Sequence, residues 1–172
     1  MIIGILKLKK FGSIIEIGCA SGANLYKIRQ NFPNVEIGGV DINKDAIEMA
    51  KQLIPSAAVL EVSDATKVFL SDKSVDIVLT DMALIYISPF KIGKAIDEIK
   101  RVARKDIILC EFYHKNWIKR QFLRLAGYNA YNYKNLLARK GFWDIEVYKL
   151  NDKDWPGGQP QKTFGSIVLA KV

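Results

Sequence analysis

Glu16, Gly18 and Gly22 stand in one stretch, Ile14-Ile15-Glu16-Ile17-Gly18-Cys19-Ala20-Ser21-Gly22-Ala23-Asn24, whose residue types suit ligand binding by backbone. An apolar run ends in a carboxylate, a turn of small residues follows, and a helical pattern begins at once. A parallel strand hands over to a helix in this way when a ligand lies against the turn. Gly18 and Gly22 can take backbone angles that other residues avoid, and neither carries a side chain to block a ligand. Cys19, Ala20, Ser21 and Ala23 are small, so the turn is low. Amides at the N-terminus of the next helix can receive ligand oxygens. Asp41 ends a second apolar run, Gly38-Gly39-Val40-Asp41-Ile42. A carboxylate at such a strand end, about twenty residues past the turn, can accept hydrogen bonds from both ribose hydroxyls. The turn also fits an ordinary strand–helix junction, and Asp41 also fits the start of a helix. The glycines read G-x-x-x-G rather than the G-x-G-x-x-G of dinucleotide sites, which disfavours a nicotinamide cofactor.

The elements that must hold these residues alternate between strand and helix. Strands are expected at residues 13–17, 35–40, 58–62, 75–80 and 106–112, with helices at 23–31 and 43–54 between them. In the second helix Asn43 is the expected N-cap, and Ala46, Ile47, Ala50 and Leu53 point inward. Residues 75–80 are almost wholly apolar, as a central parallel strand should be. Ser88-Pro89 reads as the start of the next helix, a serine cap before a proline at the first helical position. An aromatic-rich helical region runs from about residue 116 to 140. Residues 142–150 and 163–172 are two further strands. The Gly/Pro-rich loop between them, with Trp155 in it, suggests an antiparallel final pair. The fold class expected is α/β, a Rossmann-like, seven-stranded, mostly parallel sheet with an antiparallel last strand and helices on both faces.

At 172 residues the chain fits one domain, residues 1–172, long enough to bury a real core. No apolar run is long enough to span a bilayer, so no membrane span is expected. The apolar start lacks a basic leader and a small-residue cleavage site, so no signal peptide is expected. Cys19 and Cys110 do not suggest a disulfide framework, which makes a reducing cytoplasm the default. His114 is the one histidine, and no Cys/His cluster has metal-ligand spacing, so no metal is expected.

Glu16-x-Gly18-x-x-x-Gly22 resembles the first motif of the class I S-adenosylmethionine-dependent methyltransferases, usually written E/D-x-G-x-G-x-G. Ala20 replaces the middle glycine. The resemblance covers roughly residues 13–172. It implies a seven-stranded sheet whose last strand slots in beside the fifth, with S-adenosylmethionine as cofactor. It implies an N-terminal helical cap as well, whereas only about a dozen residues precede the first strand here. The turn residues Gly18, Cys19, Ala20, Gly22 and Asn24 would hold the cofactor, and Asp41 with Ile42 its ribose. Asp64, in Val62-Ser63-Asp64-Ala65, sits where the family accepts from the adenine amino group, with Ala65 beside it. Glu16 can bind the methionine amino group or belong to a structural network.

The segment Thr80-Asp81-Met82-Ala83-Leu84-Ile85-Tyr86-Ile87 matches the family segment that passes beneath the transferred methyl, with Thr80 and Met82 against the cofactor. Methyl transfer needs alignment and exclusion of water, and a base only if the acceptor must lose a proton. Asp81 is the first candidate for that base or for orienting the acceptor. Tyr86 takes a position where many small-molecule members carry histidine. Glu111 and His114, just past the fifth strand, are further catalytic candidates, and His114 equally fits a surface loop. Asp81 is not followed by Pro-Pro-Tyr, which argues against exocyclic base nitrogens and glutamine amides as acceptors. Residues 80–89 with Cys110-Glu111-Phe112-Tyr113 also resemble methylases associated with pseudaminic acid biosynthesis, although Tyr86 replaces a histidine and Ser88 an asparagine.

The formal charge is +8, and residues 113–143 hold seven Lys/Arg and no Asp or Glu. Aromatic residues are interleaved with these cations. Four readings stay open: recognition of a small anionic acceptor, RNA phosphate with base stacking, an anionic lipid surface, or a solvated basic helix face. The leading expectation is a methyltransferase acting on oxygen or nitrogen of a small anionic acceptor, a sugar or metabolite. The alternatives are an RNA methyltransferase, or a cofactor-binding but inactive methyltransferase-like subunit that needs a partner. Oligomeric state is not legible.

Overall fold

The first strand, β1 (Ser13–Ile17), is buried at every position, because it lies between two parallel neighbours with helices over both faces. The computed structural model describes residues 1–151 and 158–172, so the expectation for Trp155 lies outside the described residues. After β1 come α2 (Ala23–Asn31), β2 (Glu36–Asp41), α3 (Lys44–Leu53), β3 (Val59–Val62) and β4 (Val75–Asp81). Next are a 3-10 turn (Leu84–Tyr86), α4 (Ile92–Val102), β5 (Ala103–Phe112), α5 (Trp117–Leu125) and α6 (Tyr133–Arg139). The chain closes with β6 (Trp143–Lys149), α7 (Gln161–Phe164) and β7 (Gly165–Lys171). A short helix, α1 (Ile2–Leu6), precedes β1 and buries Leu6.

The strands form one sheet in the order β3-β2-β1-β4-β5-β7-β6. The first five are parallel, and β7 runs antiparallel between β5 and β6. This is the expected topology. One apolar layer sets α4 and α6 against the sheet through Ile96, Ile99, Leu137 and Tyr133. The other sets α2 and α3 against it through Leu25, Ile28, Ile47 and Ala50. Among the described residues no helix is long and apolar enough to cross a membrane.

Several expectations are corrected. Asn43 does cap α3, accepting from the amides of Asp45 and Ala46, but Leu53 is exposed because the helix ends over the sheet edge. Helix α4 begins at Ile92 rather than Ser88: residues 88–91 form a turn on the Ser88 carbonyl, with no side-chain cap. Strand β5 begins at Ala103, across a register shift against β4. The helical region 116–140 is two helices. Gly127, at φ +86, ends the first, and Asn116 and Asn132 cap the two starts through the amides of Lys119 and Asn135. Between them Tyr131 bonds the Phe112 carbonyl, which pins the connection to the end of β5. Residues 161–164, expected in part as strand, form α7.

Candidate active site

The order of the sheet reverses between β1 and β4, and ligands of open α/β sheets bind at the carboxyl ends of the strands beside such a point. A cleft of about 560 Å³ opens there, the size of a small-molecule site. Each wall is the end of one strand. Gly18 and Ala20 follow β1, and Asp41 and Ile42 end β2. Asp64, Ala65 and Thr66 follow β3, while Asp81, Met82 and Tyr86 to Ser88 follow β4, with Lys91 at the end of that segment.

The turn after β1 is built on positive φ angles: Gly18 at 80°, Ala20 at 45° and Gly22 at 84°. Gly18 lets two strand-end turns touch, since a Cβ there would come within 2.2 Å of the Ala83 Cβ. Gly22 faces α3 instead, where a Cβ would lie 2.8 Å from Ile54 Cδ1. Ala20 holds its left-handed backbone with its amide donating to Asp41 Oδ2 at 2.9 Å. The other oxygen of Asp41 accepts from the Asn43 amide, also at 2.9 Å. Asp64 Oδ1 accepts from the amide and hydroxyl of Thr66, at 2.7 and 2.8 Å, and these bonds hold its carboxyl below the usual range.

Beneath the turn, the Asn24 amide donates to Glu16 Oε1 at 2.8 Å and to Asp81 Oδ2 at 2.9 Å. Glu16 is fully buried, and its Oε2 has no partner among the described residues. Burial first, with Asp81 and Asp41 nearby, pushes its carboxyl up to about 8, against the pull of the Asn24 bond.

A second buried carboxylate shapes the opposite wall. Glu111 Oε1 accepts from the backbone amides of Ala83 and Leu84, both at 3.0 Å, and so holds the start of the 3-10 turn. Burial raises its carboxyl to about 7 despite these bonds. Met82, just before, sits at φ 54 with its amide bonded to the Cys110 carbonyl.

Of the expected cofactor-binding residues, Gly18, Ala20, Asp41, Ile42, Asp64, Ala65 and Met82 line the cleft, as do the catalytic candidates Asp81 and Tyr86. Glu16, Cys19, Gly22, Asn24 and Thr80 do not: they support its floor or pack behind it. Two further catalytic candidates do not line the cleft. Glu111 is a buried positioning group. His114 stands outside the cleft, its Nδ1 accepting from the Asn116 amide at 2.9 Å and its ring against Phe164, because the chain turns away from the sheet into α5. Sequence reasoning missed Ser88 and Lys91, although the rule of strand ends covers the segment that carries them.

The sheet order and the cleft define a Rossmann-like α/β protein with its ligand site at the topological switch point. Residues 14–106 match the model of a family described as a methyltransferase domain, and the chain belongs to that family. No curated protein matches the chain in sequence. Solved structures share its fold. The PH0226 protein from Pyrococcus horikoshii aligns with a TM-score of 0.73 at 18% identity, over 98% of this chain and 85% of its own. An S-adenosylmethionine-dependent methyltransferase from Methanosarcina mazei gives 0.72 at 20% identity, over 98% and 96%. Another from Archaeoglobus fulgidus gives 0.70 at 17%, over 99% and 93%.

The cofactor that the first motif of this chain leads one to expect is S-adenosylmethionine. Its residues fit that group: a concave cleft of suitable volume carries two strand-end carboxylates, and a buried carboxylate oxygen without a partner lies behind its first turn.

Proposed function

We propose that the chain methylates an oxygen or nitrogen of a small anionic acceptor, a sugar or metabolite. The observation that carries this reading is the segment from Asp81 to Lys91, which lines one wall of the cleft with an ammonium at its end. Past β5, residues 113–143 hold seven cations and no acidic residue, and three of them, Arg120, Arg124 and Arg139, line a hollow whose wall includes Pro89 of this segment. A cleft so flanked favours a negatively charged acceptor.

S-adenosylmethionine supplies an activated methyl group on a sulfonium. The protein's own task is then to bind, align and exclude water. Asp41 takes the ribose hydroxyls and Asp64 the adenine amino group. Glu16, bonded to the Asn24 amide, receives the methionine ammonium through water, and Asp81, bonded to the same amide, takes the acceptor proton. Tyr86, whose ring packs at 5.9 Å from that of Tyr128, orients the acceptor from the open side. The turn held by Glu111 fixes Met82 and Ala83 against Gly18, which keeps the two walls in register. The test is transfer of labelled methyl to a panel of sugar phosphates, nucleoside diphosphate sugars and hydroxy acids. Labelling of at least one small anion, abolished by Asp81→Asn with cofactor binding retained, is the expected result. Labelling of bulk RNA with none in the small-molecule fraction contradicts it.

A further inference from the structure

Six arginines occur in the chain, and the fold treats them in two ways. Arg29 donates to the carbonyls of Pro33, Val35 and Ser56. Arg101 pairs with Glu98 and Asp72, and Arg104 with Asp76. The other three, Arg120, Arg124 and Arg139, have no carboxylate partner among the described residues, and all three line one cavity of about 380 Å³ between α5 and α6. The Nε of Arg120 is buried there without an acceptor. Three guanidinium groups around one concavity repel each other, and a buried donor without a partner is costly. Both costs are met by an anion with several acceptor oxygens. Guanidinium forks match the geometry of phosphate oxygens in a way that lysines do not.

The cavity also has a fixed relation to the cleft. Pro89 and Ile92 form part of its wall, while Tyr86 to Ser88 and Lys91 of the same segment line the cofactor cleft. Tyr131, a further wall residue, donates its hydroxyl to the Ile87 carbonyl and so holds that segment in place. Exposed Trp117 offers an indole face at the cavity. One short strap therefore separates the two sites.

We propose that this cavity is a phosphate subsite, which takes the diphosphate of a small-molecule acceptor whose methylated end crosses the strap into the cleft. The inference rests on the methyltransferase reading above and assigns its acceptor to the class of diphosphate esters. Arg124 and Arg139 are exposed, and the three arginines share one open hollow between α5 and α6, an arrangement that suits a compact diphosphate better than an extended RNA backbone.

The experiment is calorimetric titration of the full chain with inorganic pyrophosphate at fixed ionic strength, with S-adenosylmethionine titrated into the same samples. Saturable pyrophosphate binding is expected, weakened about tenfold or more by Arg120→Gln and by Arg124→Gln/Arg139→Gln, and unchanged by Lys27→Gln on the far helix α2. S-adenosylmethionine affinity should be the same in all of these proteins, which also shows that they are folded. Absent pyrophosphate binding in a chain that binds S-adenosylmethionine overturns the subsite alone. Equal weakening by Lys27→Gln reduces it to unspecific charge and overturns it as well. A single-stranded RNA that binds far more tightly than pyrophosphate through the same arginines replaces it with a nucleic-acid site. Failure of S-adenosylmethionine to bind strikes the methyltransferase reading instead.

Discussion

The backbone amide of Ala20 donates to the Asp41 carboxylate at 2.9 Å, which ties the turn after β1 to the end of β2. Ala20 holds φ 45 at this point, a conformation that suits glycine. The middle position of the family motif is often glycine, and here the Asp41 bond helps hold an alanine in the same shape. The turn after β1 is thus set before any ligand arrives.

Gly18 carries a stricter demand. With φ at +80 and Ala83 Cβ 2.2 Å from the place of a new methyl, Gly18→Ala meets both backbone strain and a clash. A loss of about 2–4 kcal/mol is expected, read as a lower urea midpoint. Adding Ala83→Gly should recover the steric part only. An unchanged midpoint in Gly18→Ala contradicts the packing of these two turns.

Glu111 is expected to act through the turn that it holds. Glu111→Gln keeps a carbonyl oxygen for the amides of Ala83 and Leu84 and should cost little. Glu111→Ala leaves both amides unpaired and should cost about 3 kcal/mol, with weaker S-adenosylmethionine binding. Equal stability of the two variants contradicts this role.

Two buried carboxyls set the pH dependence. Glu16 titrates at about 8 and Glu111 at about 7, each above the ordinary 4.5. Between these limits the native chain holds more protons than the unfolded one, so stability falls as pH rises from 4.5 to 8 and levels off above. Asp64, Asp76 and Glu98 have lowered values and act in the opposite direction at more acidic pH. Urea unfolding at pH 5, 7 and 9 should show the fall, and Glu16→Gln should flatten it. If Glu16 receives the cofactor ammonium, binding at pH 7 should release close to one proton, seen as buffer-dependent calorimetric enthalpy and lost in Glu16→Gln.

The strands and the carboxylates at their ends were legible because a buried parallel strand is a continuous apolar run, and a strand-end acid is visible where the run stops. Asp41, Asp64 and Asp81 reach one cleft for that reason. What escaped depends on contacts distant in sequence. The role of Glu111 follows from the register of Asp81 against Cys110 across β4 and β5. The break at Gly127 was hidden by a run of aromatic residues that fits a helix on either side. The positive φ angles of Ala20 and Met82 carry no signal in residue type. His114 follows the end of β5, but the chain turns there into α5 and carries it away from the cleft, a turn with no signal in residue type.

The central claim is that the ends of β1 to β4 form an S-adenosylmethionine site organised by Asp41. Calorimetric titration of the chain with S-adenosylmethionine, S-adenosylhomocysteine and NADH, repeated with Asp41→Ala, tests it most directly. Saturable binding of the two adenosyl ligands, lost in the variant and absent for NADH, is the expected result. A folded wild-type chain that binds neither adenosyl ligand contradicts the account.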